Sequence, residues 1–231
     1  MNSIIPFGYH IGHDKLDYNF RDLRKDNNVS LNASQRLRYP DDPMSIDLHT
    51  LSNEELTDKY LRILEKYPEL KALIESRFNM FAYKMLAYDY KFKISTSWLT
   101  RLDPGDHIDN HRHHNCYYSG LLYYGKNYNN AAPLILENPI SKTTDYNFPT
   151  REHNIMMHDF TLQLFTGALY FFPSGIRHFT TINQGETRQS LAFNIVPTVP
   201  IYSGDSSFNY EWVRPVSYDD TNDTDSTNSN D

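Results

Sequence analysis

The sequence predicts a mainly β domain of the α+β class, a sandwich, barrel or jelly roll with helices packed on one sheet. Three observations predict it. After residue 89, short runs rich in β-branched and aromatic residues recur between Asn, Gly, Pro and Ser clusters. A helical apolar period is confined to the stretch just before them. A chain of 231 residues is comfortable for one β-rich domain and tight for two ordinary ones.

Residues 1–50 mix charges with scattered aromatics and read as an irregular N-terminal segment, with only 16–24 patterned as a short helix. Residues 51–88 read as helical support. Ser52 and Glu55 have the spacing of a capping box, and Leu56, Tyr60, Ile63 and Leu64 follow on one helical face. Pro68 ends or restarts that helix, because proline has no N–H to donate. Leu70, Leu73, Ile74, Phe78, Phe81, Met85 and Leu86 then continue at helical spacing to about Tyr88, a stripe that reads as core packing.

Residues 89–215 read as the β core. The run 91–102 is the first strand, closed by Asp103-Pro104-Gly105. Further strands are predicted at 117–124, 133–136, 161–165, 168–172, 178–182 and 189–196. Residues 216–231 are almost entirely Asp, Asn, Ser and Thr, a composition that cannot bury enough apolar surface to offset chain entropy, so a disordered acidic tail is expected. No internal repeat is present.

Composition excludes several functions. Apolar residues make up 39%, but 18 Tyr and 13 Phe supply large buried areas, which argues against general disorder. The net charge is −7, and residues 219–231 hold five of the acids, so the body is near −2. No basic stripe of the kind phosphate backbones require is present, which argues against generic nucleic-acid binding. No window approaches 18 apolar residues, and residues 1–6 lack the pattern of a signal peptide, so a cytoplasmic protein without membrane contact is expected, in a host cytoplasm or virion if it is viral. Cys116 is the only cysteine. An internal disulfide and a cysteine-based zinc site are therefore ruled out, and any metal must be held by His, Asp or Glu.

Four of the ten histidines fall between His107 and His114. In an extended chain alternate residues share a face, so His107, Asp109, His111 and His113 would point one way and Ile108, Asn110 and Arg112 the other. Imidazoles and carboxylates at i and i+2 present adjacent ligands to Fe, Zn or Mn, with a third arriving from a distant strand; the competing reading is a solvated polar loop. His178, which opens a strand after the turn at Pro173-Ser174-Gly175, is the distant candidate. On the last strand, alternation sets Arg188, Ser190, Ala192 and Asn194 opposite Leu191, Phe193 and Ile195. An inward Arg with a hydroxyl two residues on suits a bidentate grip on a carboxylate; the alternative is a surface Arg paired with Glu186.

Together these residues resemble the Fe(II)- and 2-oxoglutarate-dependent oxygenase superfamily, in particular a phage and bacterial family with a His-x-His, then a Ser-Gly-hydrophobic-Tyr signature. Gly105, His111-Arg112-His113, Ser119-Gly120-Leu121-Leu122-Tyr123-Tyr124, Leu136-Glu137-Asn138-Pro139, Phe172-Pro173-Ser174 and Arg188 to Asn194 carry the resemblance, over about residues 95–197. It implies a double-stranded β-helix (jelly roll, cupin-like). It also implies Fe(II) held by His111, His113 and His178, and 2-oxoglutarate held by Arg188, Ser190 and Tyr123. The activity implied is a dioxygenase using O2, in which oxidative decarboxylation of 2-oxoglutarate drives hydroxylation of a second substrate. Most of the superfamily has a carboxylate where this chain has His113. Asp109 is the alternative ligand, and Glu137 could reach in from a neighbouring strand. Tyr117, Tyr123 and Tyr170 are candidate pocket hydroxyls. Two other readings compete: a non-enzymatic jelly-roll structural or assembly protein, and a three-histidine cupin-like enzyme without 2-oxoglutarate, which Arg188 argues against.

Overall fold

The computed structural model describes residues 2–5, 8–26, 62–139, 159–198 and 205. By its contacts the chain divides into Met1–Thr198 and Val199–Asp231, and the elements below all belong to the first unit. The capping box at Ser52 and Glu55, the helix expected from it as far as residue 61 and the acidic tail lie outside the described residues, while Ile63 and Leu64 from the end of that expected helix sit in a 3-10 turn, Ile63–Lys66.

Nine strands form two antiparallel sheets among the described residues. The larger has the order β1 (Asn2–Ile4), β2 (Ile11–Lys15), β7 (Ala168–Pro173), β4 (Tyr118–Tyr123), β9 (Arg188–Pro197) and β3 (Phe92–Leu102). The smaller is β6 (Phe160–Thr161), β5 (Ile135–Leu136) and β8 (His178–Phe179). His111 extends the smaller sheet beyond β8, because His111 N donates to His178 O at 3.1 Å and His178 N returns to His111 O at 2.8 Å. β3 and β9 are paired in antiparallel register from Phe92 against Pro197 to Leu102 against Arg188, broken by one irregularity between Ile94 and Thr96.

The larger sheet has two differently committed faces, as period-two alternation requires. One carries Ile94, Leu99, Tyr118, Leu122, Leu169, Phe171, Leu191, Phe193 and Ile195, all buried in one core with the helix α1 (Pro68–Met85). Pro68 at the first turn and Glu69 beside it start this helix favourably, Lys84 suits its last turn, and Ala87 turns the chain out at φ +56. Phe78 is the hub: its ring centroid lies 5.2 Å from Phe92, 5.3 Å from Tyr118 and 5.1 Å from Phe171. The other face carries Leu121, Tyr123, Ala168, Tyr170 and Phe172, which meet Leu134, Leu136 and Leu162 from the smaller sheet's side in a second core.

α1 also guards the open edge of β3. Asn79 accepts from Phe92 N at 2.8 Å through Oδ1 and donates to Phe92 O at 3.0 Å through Nδ2, while Glu75 Oε1 accepts from Ile94 N at 2.9 Å. Main-chain groups that would otherwise be free to recruit another strand are thereby satisfied.

Gly120 sits where β4 crosses beneath Phe193: a Cβ there would lie 2.1 Å from that ring. Gly120→Ala is expected to destabilise the fold by about 1–3 kcal/mol, since a fully buried ring must be displaced. Thermal or urea unfolding checks this, and a variant as stable as wild type would show that Phe193 can move freely.

Three expectations need correction. Residues 1–50 are not irregular throughout, because 2–4 and 11–15 are strands; their sequences lack alternation, and they are extended because β2 pairs with the edge of β7. The short helix expected at 16–24 reduces to a 3-10 turn at Leu23–Lys25. The strands expected at 161–165 and 178–182 shrink to Phe160–Thr161 and His178–Phe179, since their pairing with the two-residue β5 ends there. No helix among the described residues is long and apolar enough to cross a membrane.

Candidate metal centre

The three histidines are brought together by main-chain pairing rather than by loop chance. His111 and His178 form the antiparallel bridge just described, which sets their side chains on one face. His113 follows two residues after His111 and is anchored by His113 N donating to Ser174 O at 3.1 Å. The ring centroids are separated by 4.3 Å (His111 to His178), 5.3 Å (His111 to His113) and 5.0 Å (His113 to His178). One ring nitrogen from each lies within 4.8 Å of the others, a spacing suited to a single ion.

Each ring is oriented by its other nitrogen. His111 Nδ1 lies 2.8 Å from Asp109 O, His178 Nδ1 lies 3.0 Å from Ile176 O, and His113 Nδ1 lies 2.7 Å from Asn194 Oδ1. All three are acceptors, so they favour a proton on each Nδ1, the tautomer in which Nε2 is the nitrogen able to ligate. This is how histidine ligands are usually held: the second ring nitrogen fixes tautomer and direction. Burial pulls the His178 pKa down to about 3, helped by His111, and burial likewise lowers that of His113. Both rings are therefore neutral near pH 7, and no proton must be displaced from them before they can ligate.

Asp109 is not part of this cluster. Its Oδ1 lies 3.0 Å from His107 Nε2, so the two remaining candidates on the predicted face pair with each other. Glu137 is buried but committed elsewhere, accepting from Asn110 Nδ2 at 3.0 Å and lying 3.3 Å from Arg177 Nε. The local chain is not a continuous strand, so simple alternation over 107–113 overstated which side chains converge.

Arg188 opens β9 and is fully buried. Among the described residues no carboxylate pairs with it, and the expected alternative of a surface pair with Glu186 does not occur: Arg188 is buried and Glu186 accepts from Asn127 Nδ2 at 3.1 Å. The guanidinium lies 5.1 Å over the Tyr123 ring, and Nη2 donates a long bond of 3.5 Å to Tyr123 Oη. Nε and Nη1 are buried with no partner. Two donors of a buried cation left unsatisfied are costly, and they are the fitting complement of an anionic ligand. Beside Arg188 on the same face, Ser190 Oγ pairs with Thr100 Oγ1 at 2.6 Å. The positive charge of Arg188 is felt at His178, where it adds to the lowering of the pKa.

Of the three tyrosines, Tyr123 is placed at this site. Tyr170 is buried on the same face of the larger sheet, its hydroxyl donating to Gln163 O at 2.9 Å. Tyr117 is not a pocket residue: its ring stacks on Phe92 and its hydroxyl meets Tyr88 Oη at 2.7 Å, outside the sheets. Sequence reasoning placed Asn194 on the correct face but gave it no role, and it missed Ser174 and Trp98, whose indole lies 5.5 Å from the His113 ring. A surface cavity of about 910 Å3 bordered by Arg24, Lys126, Asn129 and Glu186 contains none of these residues, so size does not locate the site; the converging donors do.

Residues 96–194 match the family described as "Putative 2OG-Fe(II) oxygenase". No curated protein matches the chain. Among solved structures it is similar to an oxidoreductase of the 2OG-Fe(II) oxygenase family from Burkholderia pseudomallei, at 13% identity and a TM-score of 0.42 over 56% of this chain and 55% of that one. It is also similar to a Pseudomonas putida prolyl-4-hydroxylase, at 14% identity and 0.38, over 55% of this chain and 63% of that one. A third is HygX from Streptomyces hygroscopicus with iron bound, at 12% and 0.39, over 73% and 79%. The chain thus spans somewhat more than half the length of the first two. The segment that matches the family model contains His111, His113, His178, Arg188 and Asn194.

Proposed function

We propose that the chain is an Fe(II)- and 2-oxoglutarate-dependent dioxygenase that hydroxylates a second substrate. The observation that carries this reading is Arg188, a buried cation with two unpartnered donors, on the strand face that also supports the histidine cluster. A dicarboxylate fits such a site: one carboxylate can meet Arg188 while the other end faces the metal. When bound, Fe(II) and 2-oxoglutarate supply the oxidation, O2 being consumed as 2-oxoglutarate becomes succinate and CO2 and one oxygen atom enters the substrate. His111, His113 and His178 would hold the ion through Nε2, and Arg188 would bind and orient the co-substrate. The Tyr123 hydroxyl accepts from Leu134 N at 3.2 Å and from Arg188, which leaves its own proton for a ligand carboxylate. With no carboxylate among these ligands, the ion would keep its full 2+ charge, which favours an anionic co-substrate.

The fold within this reading is a double-stranded β-helix. Taking β3, the His111 segment, β4, β5, β6, β7, β8 and β9 as eight consecutive strands, the larger sheet runs first, eighth, third, sixth and the smaller runs second, seventh, fourth, fifth. This alternation between sheets is the jelly-roll order.

Aerobic incubation with Fe(II) and 2-oxoglutarate is expected to give succinate, slowly without substrate, and to give none when iron is chelated. Tight Fe(II) binding with no succinate formation and no 2-oxoglutarate binding would instead support a non-enzymatic protein that keeps a structural metal.

A further inference from the structure

The polar cluster behind His113 is the least expected construction in the molecule. Asn194 Oδ1 accepts from His113 Nδ1 at 2.7 Å and from Ser119 Oγ at 3.0 Å. Ser119 Oγ in turn lies 2.9 Å from His113 Nδ1 and 2.9 Å from the buried Ser174 Oγ. The direction of the amide is fixed from its other side, because Asn194 Nδ2 donates to Thr96 Oγ1 at 3.0 Å. Ser119 Oγ donates to Asn194 Oδ1, and its oxygen can accept from the ring proton of His113 or from Ser174.

His113 differs from the other two ligands in what holds it. His111 and His178 each give their Nδ1 proton to a main-chain carbonyl two residues earlier, a partner supplied by the backbone itself. The partners of His113 are side chains instead: Asn194 Oδ1, from a strand 81 residues away, at 2.7 Å, and Ser119 Oγ at 2.9 Å. With Asn194 gone, only Ser119 Oγ would face Nδ1, and a hydroxyl can donate as well as accept; the tautomer is then no longer fixed, and a turn of the ring about its Cβ–Cγ bond would carry Nε2 away from the ion.

We propose that Asn194 is the positioning residue that makes His113 a metal ligand, with Ser119 and Ser174 holding its carbonyl in place. The inference rests on the metal centre proposed above and adds a specific division of labour to it. An amide does this without adding charge, so the ion is oriented at no cost to its attraction for an anion. A carboxylate at position 194 would accept the same proton but would strengthen His113 as a donor and put a negative charge behind the ring.

The test is titration of the full chain with Co(II), followed by its visible bands, on wild type, Asn194→Leu and Asn194→Asp. Asn194→Leu, similar in size but unable to accept, is expected to lose about 10-fold to 100-fold in metal affinity. Asn194→Asp is expected to bind within about threefold of wild type with a displaced visible spectrum, because the acceptor is kept and the donor strength changed. Asn194→Leu binding as tightly as wild type would overturn the proposal, as would an equal loss in both variants, which would mark Asn194 as merely structural. If wild type binds no metal at all, it is the three-histidine centre that fails, not the role of Asn194 within it. Should Asn194→Leu not fold, ring-nitrogen NMR of wild type decides: a proton on Nδ1 of His113 supports the proposal, and a proton on Nε2 overturns it.

Discussion

Replacing Arg188 with Met is expected to make the free protein more stable while removing its hold on 2-oxoglutarate. Arg188 is fully buried with Nε and Nη1 unpaired, so the free protein carries a desolvated cation whose donors are only partly satisfied. A residue of similar length and no charge removes that penalty, and apolar replacement of poorly compensated buried charge is neutral to stabilising by about 1–4 kcal/mol. Tyr123 softens the effect, because its ring and hydroxyl provide partial compensation. The same substitution removes a charge-assisted carboxylate contact, costing about 2–5 kcal/mol of co-substrate binding, or roughly 30-fold to 4,000-fold. Iron binding should hardly change, since no ligand is touched. Thermal unfolding with isothermal titration of 2-oxoglutarate tests both halves. A destabilised Arg188→Met that binds 2-oxoglutarate normally would show that Arg188 serves the core instead.

Each of His111→Ala, His113→Ala and His178→Ala is expected to reduce Fe(II) binding far below that of wild type in anaerobic titration, while His107→Ala and Asp109→Ala leave it nearly unchanged. Three Nε2 lone pairs converge with their tautomers fixed, so loss of any one leaves two neutral ligands, too few to hold a labile ion tightly. His107 and Asp109 occupy each other at 3.0 Å and lie outside the cluster. Their loss should remain within the half kcal/mol or so typical of exposed positions, roughly a factor of two in affinity. An Asp109→Ala variant as damaged as His178→Ala would overturn the three-histidine assignment and restore a carboxylate to the centre.

How much of this was legible in the sequence differs from element to element. β9 announces itself by alternation from Arg188 to Ile195 and β3 by a long run rich in β-branched and aromatic residues, and the stripe from Leu70 to Phe81 is equally plain. Strands β1 and β2, at one end of the larger sheet, carry no such pattern; β2 is extended because β7 offers it unpaired main-chain groups, and β1 pairs in turn with β2, a fact of tertiary structure. The centre was visible as a density of histidines and as an inward face for Arg188. Its supporting cluster was not, since Thr96, Ser119, Ser174 and Asn194 are common neutral residues from four separated segments whose proximity no spacing encodes. Tyr117 misled for a related reason: its main chain pairs with Ile195 and Ser174, but its ring turns to stack on Phe92, a contact that strand alternation does not encode.

The bridge between His111 and His178 has a consequence for how the protein is supplied with metal. Two of the three proposed ligands are spaced by reciprocal main-chain hydrogen bonds, which need no ion to form. Zinc fingers, by contrast, must fold around their ion, so that losing metal means losing structure. Here the vessel is finished before it is filled. Chelation should leave hydrogen–deuterium exchange across β3, β4, β7 and β9 largely unchanged, and added Fe(II) should restore the centre without a refolding step. Occupancy can then follow the free iron concentration reversibly, so that in a cell starved of iron this protein would persist as an intact, idle reserve.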